Sequence, residues 1–245
     1  MTQYDQIAGQ YDQSAEERSD RESVLVPSAK YYLGDLAGKS VLDLACGSGY
    51  FTRLIEAWGA ETVVGADISA EMIDIARRRE RENPLGIEYH VADASEMRKF
   101  GEFDIVFAGF LLHYSSSVEQ LHMMCKTVSA NLRSGGGRFV SFNESPFKAV
   151  HDGIKYGVEA KILGEPGDGA KIERTHYVDG KKDFSFQHHH YEVATYELAL
   201  QSAGFSRIEW RPFVCRNNAT SGPDFDYWRE YLCDFSITVL LCTRD

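Results

Sequence analysis

The residues best placed to do chemistry lie between Val41 and Asp93. Val41–Ala45 is a short apolar run of strand formers with one acid, Asp43; Cys46-Gly47-Ser48-Gly49 follows, and Tyr50–Trp58 then carries apolar residues at helical spacing. The order is strand, tight turn, helix. Two glycines so close together let the backbone approach a ligand, and the turn presents N–H groups and a helix N-terminus to it. Asp67 ends a second apolar run, Thr62–Ala66. It falls roughly twenty residues past the turn, where a doubly wound fold sets an acid against a ribose, and one carboxylate can accept from both ribose hydroxyls. A third run, Ile87–Val91, closes on Ala92-Asp93-Ala94. Asp93 can accept from an adenine amino group there, and the Ala94 N–H can face a ring nitrogen. A fourth run, Phe103–Phe107, leads into Ala108-Gly109-Phe110. These positions all fall at carboxyl ends of strands, where ligands bind in open parallel sheets.

Two phosphate-binding readings fail on particular residues. A dinucleotide fingerprint needs a third glycine where Thr52 stands, and the lysine of a P-loop is missing. The run D-x-A-C-G-S-G instead resembles the first motif of class I S-adenosylmethionine (SAM) methyltransferases. The resemblance implies a Rossmann-like doubly wound α/β fold of seven strands, with SAM as cofactor and no metal. The cofactor site then comprises Asp43, Ala45, Cys46, Gly47, Gly49, Asp67, Ile68, Met72, Asp93, Ala94 and Ala108. Met72, one turn past Asp67, either flanks the adenine or packs in the core.

The elements that must position these residues can be read around them. Ser23–Leu36 is predicted as a helix, and Ser69 caps another that buries Met72, Ile73, Ile75 and Ala76 and leaves Arg77–Arg81 as a solvated face. Val118–Leu132 and Tyr196–Ala203 are further helices. Arg138–Phe142 is a fifth strand; Ser206–Trp210 and Ile237–Cys242 complete the sheet, by the resemblance as an antiparallel hairpin at one edge. One domain is expected over 1–245. Its first segment, 1–20, places Tyr4, Ile7, Ala8 and Tyr11 on one helical face. That segment either docks by its aromatics or acts as a lid over the sulfonium, as the Y-D-x-x-A-x-x-Y-D opening does in many small-molecule methyltransferases. An insertion over 144–190 is expected to cap the substrate. Lys171–Val178 and Phe184–His190 alternate as strands about an Asp179-Gly180 turn, giving an antiparallel flap with Asn143, Glu144, His176 and Tyr177 as polar and aromatic candidates. His188-His189-His190 alternates in and out of a strand, so the three cannot face one metal.

A formal charge of −11 over 245 residues argues against nucleic acid or an anionic membrane as the main partner. Five cysteines, scattered and without a C-x-x-C pair, point to a reduced protein without a zinc site. With no signal peptide or long apolar span in view, a cytoplasmic protein is expected, its partner a small-molecule substrate.

The opening Q-Y-D-x-I-A-G, the V-L-D-L-A-C-G loop and the late A-G-F-S-x-x-E-W run look like the toxoflavin-synthesis N-methyltransferases, which act on planar nitrogen heterocycles in bacterial secondary metabolism. The pair Asn143 and Tyr177 resembles azetidine-2-carboxylate synthases, for which SAM is the sole substrate: its α-amino nitrogen attacks the γ carbon and expels methylthioadenosine. A SAM-binding protein without catalysis is a third reading. Aromatic faces hold a sulfonium at about 0.5–2 kcal/mol each, with Tyr4, Tyr11 and Tyr177 as candidates. His113, just beyond the fourth strand, is either a base or a hydrogen-bonded structural residue. The Asn143 side-chain oxygen would orient the amine in ring closure.

Overall fold

The computed structural model describes residues 9, 20–96, 98–178, 180–216, 221–233 and 237–245. Tyr4, Tyr11 and nearly all of the expected lid fall outside them, as does Asp179. A π-helical turn, Arg21–Leu25, runs into α1 (Val26–Leu33); β1 (Ser40–Leu44), α2 (Tyr50–Ala57), β2 (Thr62–Asp67), α3 (Ala70–Glu82) and β3 (Glu88–Val91) then alternate. Next come β4 (Ile105–Gly109), a short turn at Leu112–Tyr114, α4 (Val118–Ala130) and β5 (Gly137–Glu144). Four strands follow, with a 3-10 turn at Ile154–Tyr156 between the first two: β6 (His151–Gly153), β7 (Val158–Leu163), β8 (Ala170–Val178) and β9 (Lys181–His190). The chain closes with α5 (Val193–Ser202), β10 (Phe205–Arg211), α6 (Pro223–Cys233) and β11 (Ile237–Arg244).

The main sheet has the order β10-β11-β5-β4-β1-β2-β3. The pairings from β3 to β5 are parallel, whereas β11 runs antiparallel to both β5 and β10. Both faces are covered, which is why the central strands read as continuous apolar runs. Val41, Ile105, Phe107 and Val140 face a layer with Ala29, Ile55, Ile73 and Trp228; Leu42, Val106 and Phe139 face one with Leu121, Cys125, Tyr196 and Leu200. The last two strands do pair antiparallel, but no tight hairpin joins them: α6 lies between them in the chain and buries Trp228 and Tyr231 against the first layer.

The insertion is a four-stranded antiparallel sheet, β6-β7-β8-β9, larger than the expected two-stranded flap. His176 pairs with Phe184 and Arg174 with Phe186, with a bulge between His176 and Tyr177. One face therefore carries a ladder of rings: His176 stacks on Phe184 at 4.7 Å and on Phe186 at 5.5 Å. Among the described residues, no helix is long and apolar enough to cross a membrane.

Candidate active site

The turn after β1 is held by its own chain. The N–H groups of Ala45 and Cys46 donate to the Ala66 carbonyl at 2.8 and 3.1 Å, and that of Gly49 to the Cys46 carbonyl at 3.0 Å. The Gly47 N–H donates to Asp67 Oδ2 at 2.8 Å. So these four N–H groups are not bare, as the glycine pattern suggested; they make the loop rigid. Ala45 sits in the left-handed region at φ 65° without being glycine. Phe110, at the end of β4, does the same at φ 73°. Such residues are strained by about 1–3 kcal/mol and cluster at functional sites.

Both strained residues line one cavity of about 390 Å³ at the carboxyl ends of β1, β2 and β4, with Asp67, Asp93, Tyr114 and Gln120 among its polar walls. Of the sequence-predicted cofactor residues, Ala45, Gly47, Asp67, Ile68, Met72, Asp93 and Ala94 line it. Met72 is held by the cap of α3, where the Ser69 hydroxyl accepts from its N–H. Asp67 Oδ1 accepts from the Ser69 N–H at 2.8 Å, so each oxygen of this carboxylate is fixed by a backbone donor. In Asp93, Oδ1 takes both the N–H and the hydroxyl of Ser95 at 2.7 Å.

Asp43, Cys46, Gly49 and Ala108 are not on the cavity wall. Asp43 points to the α2 side of the sheet and accepts from the Thr52 hydroxyl at 2.6 Å. Burial pushes its carboxyl up to about 7, the Thr52 hydroxyl opposing the shift and the charge of Asp67 adding to it. Burial likewise raises the Cys46 thiol, first by desolvation and then through Asp43 and Asp67, so it is a packed thiol and not a nucleophile. Ala108 is fully buried in β4, facing the α4 layer. Gly49 (φ 83°) makes room for a neighbour: a Cβ there would meet Tyr89 Oη at 2.6 Å, and one on Gly65 would meet the same ring at 2.7 Å. Tyr89 is thus a brace beneath the loop that the sequence reading missed, because the contact joins β3 to β1. Arg77 and Arg79 add to it, donating to the Tyr89 carbonyl at 2.8 Å and the Ser48 hydroxyl at 3.1 Å. The arginine run is therefore only partly a solvated face.

Gly49→Ala should lower the melting temperature, since the left-handed backbone costs about 1–2 kcal/mol and the Tyr89 clash adds about 1–3. Gly86→Ala is the control. It shares the positive φ (82°), but nothing lies within 4 Å of its Cβ, so calorimetry should show a clearly smaller fall there.

The catalytic candidates are placed differently from expectation. Tyr177 lies on the flap away from the cavity, its hydroxyl donating to Glu159 at 3.1 Å, and does not face the sulfonium site. Strand alternation explains this, because His176 occupies the inward position. Asn143 is fully buried in β5; its Nδ2 donates to Ser141 Oγ at 3.1 Å and it stands opposite Thr238 of β11, off the cavity wall. Aromatic surface at the cavity comes instead from Phe110 and Tyr114, which the sequence reading passed over. His113 is 1 % exposed, its ring 4.6 Å from Tyr114 and 5.1 Å from His188. Burial holds it well below the usual imidazole range, with His188 and Arg174 pushing the same way. Among the described residues, no group of three or more His, Cys, Asp or Glu is arranged to hold a metal.

Sheet order, crossover pattern and cavity position define the class I SAM-dependent methyltransferase fold. Residues 41–136 match the family described as a methyltransferase domain. The chain is 35 % identical over 99 residues to a ribosomal protein L11 methyltransferase of Burkholderia multivorans, covering 40 % of this chain and 30 % of that protein. It is 34 % identical over 115 residues to a ubiquinone biosynthesis O-methyltransferase of Coxiella burnetii, covering 46 % and 47 %. The chain thus spans less than half the length of these curated relatives. Among solved structures it resembles a SAM-dependent methyltransferase from Clostridium acetobutylicum (TM-score 0.66, 18 % identity, 99 % of both chains). A second, from Mesorhizobium loti, has TM-score 0.62 at 24 % identity over 89 % and 96 %. DhpI in its SAH complex has TM-score 0.59 at 19 % identity over 98 % and 92 %. At these identities the likeness to solved structures shows the fold.

Proposed function

We propose that this chain is a SAM-dependent methyltransferase for a small molecule, N-methylating a planar nitrogen heterocycle in bacterial secondary metabolism. The observation that carries the reading is the cavity. It sets two strand-end acids, Asp67 and Asp93, beside apolar Ile68 and Met72, and has the rings of Phe110 and Tyr114 among its walls. That set fits SAM: a doubly anchored carboxylate for the ribose, a second for the adenine amino group, apolar side chains for the ring faces and aromatic ones for the cation. DhpI, a neighbour in fold, is seen with SAH. The sulfonium supplies an activated methyl group when bound. What remains for the protein is orientation and exclusion of water, and the ring-lined flap supports a flat acceptor. Ring closure of SAM loses its motivating residues, since Asn143 and Tyr177 are both off the cavity wall.

The test is product identity. The protein is incubated with SAM, with and without a panel of N–H heterocycles, and adenosine products are weighed by mass spectrometry. SAH formed only with an acceptor is the expected result. Methylthioadenosine from SAM alone would overturn the reading in favour of ring closure, and SAM bound but never turned over would leave a binding protein.

A further inference from the structure

The loop after β3 meets the first turn of α4 at the cavity. Ser117 caps that helix, its hydroxyl accepting from the Gln120 N–H at 3.2 Å. Gln120 is thereby the third residue of the helix, the position from which a capping-box glutamine reaches back toward the preceding chain. Its Oε1 does so, accepting from the N–H and the hydroxyl of Ser116 at 2.7 and 2.8 Å. A backbone N–H can only donate, so this contact fixes which end of the amide is oxygen. A cap needs nothing more, yet Gln120 also stands on the cavity wall, and its Nε2 donates to Ser95 Oγ at 3.5 Å. That link is long for an N–H···O bond, so its effect is a modest one. Ser95 in turn gives both its hydroxyl proton and its N–H to Asp93 Oδ1 at 2.7 Å. The donors run one way, from the helix to the acid. Both bonds from Ser95 fall on Oδ1, so Oδ2 is the oxygen that a ligand in the cavity can use. Asn131, at the other end of α4, accepts from the Phe100 N–H at 2.6 Å and donates to the Arg98 carbonyl at 2.8 Å. One helix thus holds the loop near both its ends.

We propose that Gln120 is a positioning residue for the base of SAM: acting through Ser95, it holds Asp93 so that the site selects an adenine amino group and rejects the deaminated, hypoxanthine-bearing cofactor. This rests on the reading of the cavity as the SAM site. The amino group donates to Asp93 Oδ2 while Ser95 keeps Oδ1, which stops the carboxylate from turning. Hypoxanthine presents a carbonyl oxygen at the same place, so acceptor faces carboxylate and neither has a proton to share. Selectivity of this kind depends on how firmly the acceptor is held, and that is set by the side chains hydrogen-bonded behind it. A carboxylate released from Ser95 can turn away from the carbonyl oxygen, and the penalty against the deaminated base shrinks.

S-adenosylhomocysteine (SAH) and S-inosylhomocysteine, which differ only at the amino-bearing edge of the purine, serve as probes. Calorimetry measures both affinities in wild type, Gln120→Met, Ser95→Ala and the double variant. Methionine keeps the length of the side chain and brings no charge, but has no N–H for Ser95. The lost cap on α4 weakens both probes alike and leaves their ratio alone. Wild type should prefer SAH by about 10- to 100-fold. Gln120→Met should reduce that ratio by about 3- to 10-fold, the worth of one neutral hydrogen bond. Ser95→Ala should reduce it at least as much, and the double variant no further than Ser95→Ala, because Gln120 acts through Ser95. Equal losses for the two probes, with the ratio unchanged, mean that Gln120 only caps α4 and overturn the proposal. Losses of ratio that add in the double variant overturn the route through Ser95. Wild type that binds both probes alike overturns the selection of an amino group. Wild type that binds neither is the failure of the SAM reading instead. Should Gln120→Met fail to fold, Ser95→Ala decides, and an unchanged ratio there overturns the proposal.

Discussion

Asp67→Ala should weaken SAM binding by about 2–4 kcal/mol, roughly 30- to 1,000-fold in affinity. Two losses add. A ribose pair of hydroxyls loses a charged acceptor at a site only 9 % exposed. The Gly47 and Ser69 N–H groups, now at 2.8 Å from its oxygens, lose theirs, so the loop after β1 is no longer clamped. Calorimetric titration reads the sum. The melting temperature of the unliganded variant reads the clamp alone, because no ribose is present then. Asp93→Ala should cost less, about 1 kcal/mol, since Ser95 already occupies one of its oxygens and one amino hydrogen bond is at stake. Wild-type affinity in the Asp67 variant would reject the assignment of the acid.

What could be read in the sequence follows from how local each signal is. The β1 turn was legible because two glycines between a strand run and a helical period have few other uses. Asp67 and Asp93 were legible because a parallel sheet brings every strand end to one edge. Which way a side chain points within that edge was not. Asp43 and Ala45 are two residues apart, yet Asp43 turns to Thr52 while Ala45, in a left-handed conformation, lines the cavity. Nothing in an alanine announces a positive φ. Tyr89 escaped notice because its role depends on Gly49 and Gly65, residues that only the fold brings to it. Within the insertion the error was one of face. Phe184 and Phe186 mark the inward side by their period of two, and pairing them with His176 and Arg174 would have turned Tyr177 outward. Helix α6 and strands β6 and β7 sit in polar, glycine- and aromatic-mixed stretches whose periods are too short or too blurred to stand out.

Glu144→Ala should destabilise the protein by about 3–5 kcal/mol, the range for breaking a buried ion pair from one side. Arg174 Nη1 lies 2.6 Å from both oxygens of Glu144, and their side chains are 3 % and 11 % exposed. The pair joins the end of β5 to β8, so it ties the flap to the main sheet as well as balancing a charge. The cost comes mainly from stranding the guanidinium, and a double-mutant cycle shows it. Glu144→Leu combined with Arg174→Met removes both charges and should recover most of the loss. The same cycle should appear in acid. Burial, with Arg174 adding to it, lowers His188 from its usual 6.5 to about 3. In that case the unfolded chain takes up a proton that the folded one refuses, so stability falls as pH drops from about 6.5 toward 3. Removing the Arg174 charge raises the folded value toward the unfolded one and should shrink that acid loss, while Glu144→Ala alone leaves the guanidinium unbalanced and should steepen it. Urea unfolding of wild type, Glu144→Leu, Arg174→Met and the double variant, with Glu144→Ala beside them, at pH 7 and pH 5 measures both effects. A double variant no more stable than Glu144→Ala would mean that Glu144 contributes by packing and not by balancing Arg174.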